Sequence, residues 1–442
     1  MKGIRVRLLL PIFFVECLFC GKSYAQNDGV PNYFQGVLSD IINAVNGNGA
    51  STKPFIFITD THMMANGMQS PCLIKRIVEH TNINSVIWGG DAICAFGEDA
   101  EIERSWRRQI LLDSAVTDLC NVYKIRGNHD FTIKESRSSD KGITYSQRKT
   151  AQMLLNGHPD NVVLNAADQG ACYYYFDDKE SHLRFIAFDT TDSIKGENVA
   201  WGTIYGVRDK QLQWIADSAI ATIPKGYDII FLSHVPFTDT TGARYKELSN
   251  VREIVDAATK RTAGRVGNVN YDFTKLRKTS VLMCLSGHNH QDMQTYRNGA
   301  VHMVTASDAA YNDYKADPFV KDLSGRTKGS KNEVCFDCVS INKKKELISV
   351  YRVGIGGDRF FHTKALKLKV GKSKQLKASL NNPVEWHSYN ASGNRYNGKW
   401  TLYNDVVDID DHGTVVCKKQ GEAVALAIDE MGNKEFYNIV VR

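Results

Sequence analysis

After its first 25 residues this sequence has no apolar run approaching the roughly 20 residues needed to cross a bilayer, so no transmembrane segment is expected there. Proline is sparse, with 9 in 442 residues, and no surplus of Gln or Ser points to long disorder. Charge of one sign is nowhere concentrated. The net charge of +6 is scattered, and Lys343-Lys344-Lys345 and the lysines between Lys364 and Lys377 are its densest stretches, so no clear nucleic-acid site is expected. Cys335 and Cys338 form a C-x-x-C without a second pair at zinc-site spacing, which excludes a zinc-ribbon reading. No internal repeat is visible. What remains is the composition of a folded globular protein, 43% hydrophobic and 24% charged, long enough for two domains with short extras.

Residues 1–25 read as a signal peptide. Lys2, Arg5 and Arg7 precede an apolar run from Leu8 to Phe19, and Ser23-Tyr24-Ala25 supplies small residues for cleavage before Gln26. That run is short for a membrane anchor. Bulky Leu18 and Phe19 argue against lipid attachment at Cys20. The expected location is therefore outside the cytoplasm of a bacterium: periplasmic, cell-surface or secreted. Cleavage leaves eight cysteines, Cys72, Cys94, Cys120, Cys172, Cys284, Cys335, Cys338 and Cys417, which export allows to be structural disulfides or buried thiols.

Residues 26–53 form a polar lead-in carrying one short helix. Short apolar runs follow: Phe55 to Thr59, Val86 to Trp88, Val122 to Ile125, Phe185 to Phe188, Ile229 to Leu232 and Val281 to Leu285. Runs this short are buried strands, and helix-like stretches such as Glu101 to Leu119 and Gln211 to Ala221 lie between them. The alternation predicts an α/β domain over residues 54–362, with ligands beyond the carboxyl ends of its strands. From residue 363 to 442 the texture becomes short strands and turns, as in a small all-β sandwich.

The polar residues at the ends of the predicted strands carry the chemistry. In order they are Asp60-Thr61-His62, Gly89-Gly90-Asp91, Gly127-Asn128-His129-Asp130, Ser233-His234-Val235-Pro236 and Gly287-His288-Asn289-His290. Carboxylates and imidazoles are preferred ligands of divalent zinc, manganese and iron, and an Asp can bridge two ions with its two oxygens. The glycines let the backbone turn sharply enough to bring the following side chains together. Any one cluster occurs by chance; the ordered set, each member following a strand, does not.

The set resembles the calcineurin-like metallophosphoesterase superfamily over about residues 55–310, and Gly206 with Gln211-Leu-Gln-Trp214 is similar to a segment many members carry. The resemblance implies a four-layer sandwich, two packed β-sheets flanked by helices, around two divalent metal ions (Mn, Fe or Zn). By motif position Asp60, His62 and His290 would hold one ion and Asn128, His234 and His288 the other, with Asp91 bridging. His129 matches the family's catalytic, non-ligand histidine near the leaving group. Residues 363–442 resemble a bacterial immunoglobulin-like domain, on the Lys-Val-Gly opening before Gly371, on Trp400 and on Val-Asp-Ile-Asp410. Such a module would make a surface or carbohydrate contact and no catalysis.

The position three after Asp91 holds Cys94, where many members carry Asp or Tyr, so neither a tyrosinate-to-iron bond nor a carboxylate orienting the catalytic histidine is expected; Cys94 itself reads as a buried thiol. Asp130 is a helix N-cap, an orienting group or a substrate contact. Asp189-Thr-Thr-Asp192 and His302 read as structural. The implied activity is hydrolysis of a phosphate monoester or diester by a hydroxide held between the two metals, with His129 protonating or stabilising the departing alkoxide. The rival reading is an exported surface binding protein with a structural metal site. Specificity would sit in the segments 130–150 and 239–278.

Overall fold

The computed structural model of the protein describes residues 30–49, 52–62, 69–93, 99–131, 147–168, 170, 172–192, 204–238, 243–309, 326, 329–381, 384–391 and 404–442. The expected signal peptide, Cys94 and Trp400 lie outside these residues.

The first strand, β1 (Phe55–Ile58), reads Phe-Ile-Phe-Ile and is buried on both faces, as a strand between covered layers must be. Its alternation sorts the layers. Phe55 and Phe57 join Tyr123, Phe185, Leu232 and Leu285 in a core between two sheets. Ile56 and Ile58 face the other way, onto Leu38 and Ile41 of α1 (Gln35–Gly47) and Ile74 and Ile77 of α2 (Gln69–His80). The second sheet is covered on its far face by Leu212 of α5 (Asp209–Trp214) and Ile254 of α6 (Ser249–Lys260). Among the described helices, α3 (Asp99–Thr117) and α4 (Gln147–Leu155) complete the set. The expected four layers are present: helices, sheet, sheet, helices.

The second sheet runs β11 (Met293–Arg297), β12 (Ala300–Val304), β10 (Val281–Ser286), β7 (Asp228–Leu232), β6 (Leu183–Ala187), β5 (Tyr174–Asp178), β4 (Val163–Leu164). Its central strands β12, β10, β7 and β6 are parallel. The first sheet begins with the parallel strands β3 (Asn121–Lys124), β2 (Ser85–Trp88) and β1, then continues through antiparallel β13 (Cys335–Asn342), β14 (Leu347–Gly354) and β15 (Arg359–Leu368). It does not stop there. Strands β21 (Lys434–Val441), β20 (Gly421–Asp429) and β17 (Val384–Asn390) extend it to nine strands. A ribbon of β8 (Ala263–Val266) and β9 (Val269–Asp272) forms its own two-stranded sheet and packs Val266 and Val269 into the core beside α5 and α6.

The C-terminal segment is all-β, but the boundary expected between residues 362 and 363 falls inside β15. There β15 passes the end of β14, since its last β14 partner pairs Leu347 with His362, and its register with β21 shifts between His362 and Leu366. The change of sequence texture therefore marks a bulge and a change of strand partner within one continuous sheet. One face of the extension, with Tyr389, Val424, Leu426 and Phe436, joins the core between the two main sheets against Tyr296 and Phe361. The other face, with Ala425, Ile439 and Val441, packs on a three-stranded sheet of β16 (Ser373–Gln375), β19 (Thr414–Cys417) and β18 (Val407–Ile409) through Leu376, Val407 and Val415.

Seven cysteines are described, and no disulfide joins two of them. Burial holds the Cys338 thiol far above its usual range and pushes Cys335 up to about 12. Thiols held protonated in this way are poor nucleophiles, which weighs against a redox role for the C-x-x-C. No described helix is long and apolar enough to cross a membrane.

Candidate metal centre

Five strands end at the same place. Asp60 and His62 follow β1, Asp91 follows β2, and Asn128, His129 and Asp130 follow β3 in the first sheet; His234 follows β7, and His288 and His290 follow β10 in the second. All the sequence-predicted site residues are therefore brought together, across the ends of both sheets. The backbone is bent hard to do this. Asp60, His62, Asp91, His288 and His290 have φ of 54°, 45°, 50°, 70° and 56°, a region that residues with a Cβ adopt seldom and that clusters at functional sites. Close approach explains two of the glycines: a Cβ on Gly127 would lie 2.1 Å from Asp91 Oδ1, and one on Gly287 2.1 Å from Thr59 Oγ1 and 2.4 Å from Asp60 Oδ2.

Each carboxylate is held by one oxygen and presents the other. Asp91 Oδ1 accepts the His129 backbone N–H at 2.7 Å. Asp60 Oδ2 accepts the His288 backbone N–H at 2.9 Å and the Thr59 hydroxyl at 2.7 Å. The remaining oxygens face the imidazoles: Asp91 Oδ2 lies 3.0 Å from His234 Nε2 and 3.9 Å from Nε2 of both His62 and His129, and Asp60 Oδ1 lies 3.3 Å from His290 Nε2 and 3.8 Å from His62 Nε2. Asp60 Oδ1, Asp91 Oδ2 and His234 Nε2 are buried without a hydrogen-bond partner of acceptable geometry, the short Asp91–His234 separation notwithstanding. Buried polar atoms left in this state are costly unless a ligand meets them.

The rings are aimed as well. His234 Nδ1–H donates to the Gly89 carbonyl at 2.9 Å, which turns Nε2 into the cluster. His288 Nδ1 is 2.7 Å from Asn128 Oδ1, and His62 Nε2 is 3.1 Å from His290 Nε2. Three groups of donor atoms lie within 4.8 Å of one another: Asp60, His62 and His290; His62, Asp91 and His129; Asp91, His234 and His288. Burial would raise both carboxyls, yet His234 and its neighbours hold Asp60 and Asp91 well below the usual carboxylate range. Burial likewise works against a charge on His234, but Asp91 and Asp60 beside it push its pKa up to about 10. Burial pulls His62 down to about 4 and His288 to about 3, and lowers His129. Carboxylate oxygens and imidazole nitrogens converging on buried, unsatisfied atoms fit divalent cations in donor type and in arrangement.

The structure decides one alternative and amends one expectation. Asp130 accepts the N–H groups of Gly127 at 2.7 Å, Asp91 at 3.1 Å and Ile93 at 3.3 Å, so it is an orienting clasp between the ends of β2 and β3. Burial and the nearby Asp91 charge push its carboxyl up to about 7. For Asp91, one oxygen is taken by His129, so only Oδ2 is presented to the cluster.

Several supporting residues carried no sequence signal. Fully buried Arg126 donates to Asp189 Oδ2 at 2.5 Å and to Thr191 Oγ1 at 3.1 Å, tying the end of β3 to the end of β6 and giving Asp189-Thr-Thr-Asp192 the structural part expected of it. Asp292, two residues after His290, is clamped by Arg352 at 2.7 and 2.9 Å, and Arg352 and Arg359 both reach Asp337. Tyr205 and Tyr245 stand against the His288 ring. Of these, Asp292 could have been suspected from its place beside His288-Asn-His290.

Residues 53–292 match the family model of the calcineurin-like phosphoesterases. Among solved structures, the chain is similar to a dimetal phosphatase from Danio rerio, with 14% identity, 70% of this chain and 98% of that one covered, and a TM-score of 0.44. A 5'-nucleotidase described as putative, from Staphylococcus aureus, gives 13% identity, 70% and 54% coverage and a TM-score of 0.36. GAP50 of Plasmodium, the anchor in the inner membrane complex, gives 12%, 71% and 85%, and 0.35. No curated protein matches. With the family model spanning more than half of its residues, the chain belongs to the calcineurin-like phosphoesterase family.

Proposed function

We propose that this protein hydrolyses phosphate esters at a centre of two divalent metal ions. The observation that carries the reading is the convergence of Asp60, His62, Asp91, Asn128, His234, His288 and His290 from five strand ends, with carboxylate oxygens and an imidazole nitrogen left buried and unsatisfied. Asp60, His62 and His290 would hold one ion; Asn128, His234 and His288 would hold the other. Asp91 would serve both. Ions bound there would lower the pKa of a water and neutralise phosphoryl oxygens.

The residues of the chain supply the rest. Backbone N–H groups fix the two carboxylates, the Gly89 carbonyl fixes the His234 ring, and Asp130 fixes the loops that carry Asp91 and Asn128. His129 sits beside the proposed ligands, its Nε2 3.9 Å from Asp91 Oδ2 and its side chain 22% exposed, which leaves it room to meet a departing alcohol. It would protonate or stabilise that alkoxide.

Turnover of p-nitrophenyl phosphate and of bis-p-nitrophenyl phosphate with added Mn²⁺ tests the proposal and separates monoesterase from diesterase. Absence of turnover of both, with two ions bound, would sink it. We further read residues 1–25 as an export signal, which N-terminal sequencing of the recovered protein checks. Residues 363–442 we read as an immunoglobulin-like sandwich whose one layer is the extension of the catalytic sheet, supported by the opposed β15-β21-β20-β17 and β16-β19-β18 layers.

A further inference from the structure

His288 is the proposed ligand whose surroundings owe most to residues outside the sequence motifs. Its Nδ1 faces Asn128 Oδ1 at 2.7 Å, the pair of atoms that would share one ion. Its other nitrogen, Nε2, lies 3.4 Å from the Tyr245 hydroxyl. The buried Tyr205 ring meets the imidazole edge-on at 4.9 Å, and the His234 ring does so at 5.3 Å. Tyr205 and Tyr245 are stacked at 5.8 Å and 21°. Arg244 binds this pair together: its carbonyl accepts the Tyr205 N–H at 2.8 Å, its guanidinium donates to the Tyr205 hydroxyl at 3.1 Å, and it lies 5.5 Å over the Tyr205 ring.

We propose that Tyr245 is a positioning residue for the second metal site, its hydroxyl gripping Nε2 of His288 so that Nδ1 is aimed, with Asn128 Oδ1, at the ion. This rests on the reading of His288 as a ligand. A histidine that binds a metal through one nitrogen is oriented by what its other nitrogen meets, and such partners fix both ring angle and tautomer. A phenol suits the task because it accepts as well as donates: it takes the Nε2–H when Nδ1 offers its lone pair to the ion. At 3.4 Å the contact is long for a hydrogen bond, so the Tyr205 and His234 rings share in holding the imidazole. The three residues Tyr205, Arg244 and Tyr245 thus form a wall that belongs to this chain's own connecting segments. Its effect is confined to the ion held by His288.

The test is calorimetric titration of the metal-free, full-length protein with Mn²⁺, comparing wild type, Tyr245→Phe and Tyr205→Phe, with melting temperatures measured alongside. Tyr245→Phe keeps the stacked ring and removes only the hydroxyl. It should weaken one of two Mn²⁺ sites by roughly 10–100-fold and leave the other unchanged. Tyr205→Phe keeps its ring against His288 and loses only the hydroxyl that Arg244 meets, so it should weaken the His288 site less than Tyr245→Phe does. Unchanged binding at both sites in Tyr245→Phe, or equal weakening of both, would overturn the assignment, as would a single site in the wild type. Because the readout is ion binding, a wild type that binds two ions but turns over neither nitrophenyl ester would remove the proposed function while this titration still decides the role of Tyr245.

Discussion

Ending the chain at His362 cuts β15 midway and removes β17, β20 and β21 together with the three-stranded sheet. The cost falls on residues that stay behind. Phe361 loses the stacked ring of Phe436, at 4.7 Å and 13°, and Tyr296 loses the Phe436 carbonyl that accepts its hydroxyl at 3.0 Å. Tyr389, Val424 and Leu426 leave the core they share with Phe361, Tyr296 and Val301, each of which is buried. Exposing a fully buried large apolar side chain costs roughly 1.5–3 kcal/mol, so opening these three amounts to about 5–9 kcal/mol as an upper estimate. A whole domain is stable by only about 5–15 kcal/mol. The shortened chain is therefore expected to be insoluble or to melt without a cooperative transition, and to hydrolyse nothing. Calorimetry and turnover of p-nitrophenyl phosphate, measured on both lengths, check this. A soluble truncated protein that melts cooperatively within a few degrees of the full chain, with the same specific activity, would show that the C-terminal strands only lean on the catalytic layers.

Asp91→Ala should lose both ions and all turnover, whereas His62→Ala should lose chiefly one; metal analysis of the purified variants decides, and full occupancy in the Asp91 variant would remove its bridging role. His129→Ala should keep both ions and lose about 10²–10⁴-fold in turnover of alkyl phosphates, with a smaller loss for p-nitrophenyl esters, whose leaving group needs no proton. Equal losses for both esters would point to electrostatic stabilisation of the phosphoryl group instead. Burial lowers His302, on β12, to about 4 from its usual 6.5. The unfolded chain then binds the extra proton between those values, so this histidine contributes stability that is complete above pH 6.5 and lost on falling toward pH 4, about 3 kcal/mol in all. Urea melts of wild type and His302→Gln across that window should show a shallower pH slope in the variant; identical slopes would place the acid sensitivity elsewhere.

The convergence of these side chains was legible in the sequence because each proposed ligand does two jobs at one position. Asp91 and His288 both supply a donor and end a strand, so a short apolar run followed by Gly and a ligand carries the chemistry and the geometry in the same few letters. The buried charges were not legible. Asp292 finds Arg352 60 residues away and Arg359 67 residues away, and nothing local distinguishes either arginine from a solvated one. The change of texture after His362 is ambiguous for a related reason: Leu366-Lys-Leu-Lys alternates as any half-covered strand does, whether it opens a new domain or lengthens an existing sheet. Strand pairing is non-local, and β15 finds β21 some seventy residues on. Tyr245 lies in a turn before α6, where no periodicity marks a residue that faces the site.

The cross-ties among the ligand loops also bear on how metal would enter and leave. The grip of His129 N–H on Asp91, of His288 N–H on Asp60 and of Gly89 on His234 uses backbone groups of neighbouring loops and needs no ion. A cradle closed by its own main chain would keep its shape as ions exchanged, and loading would then be a late and reversible event after folding. The ion found in the protein would then report which metals were on offer when it was made or purified, and swapping one for another should require a chelator and patience rather than a denaturant.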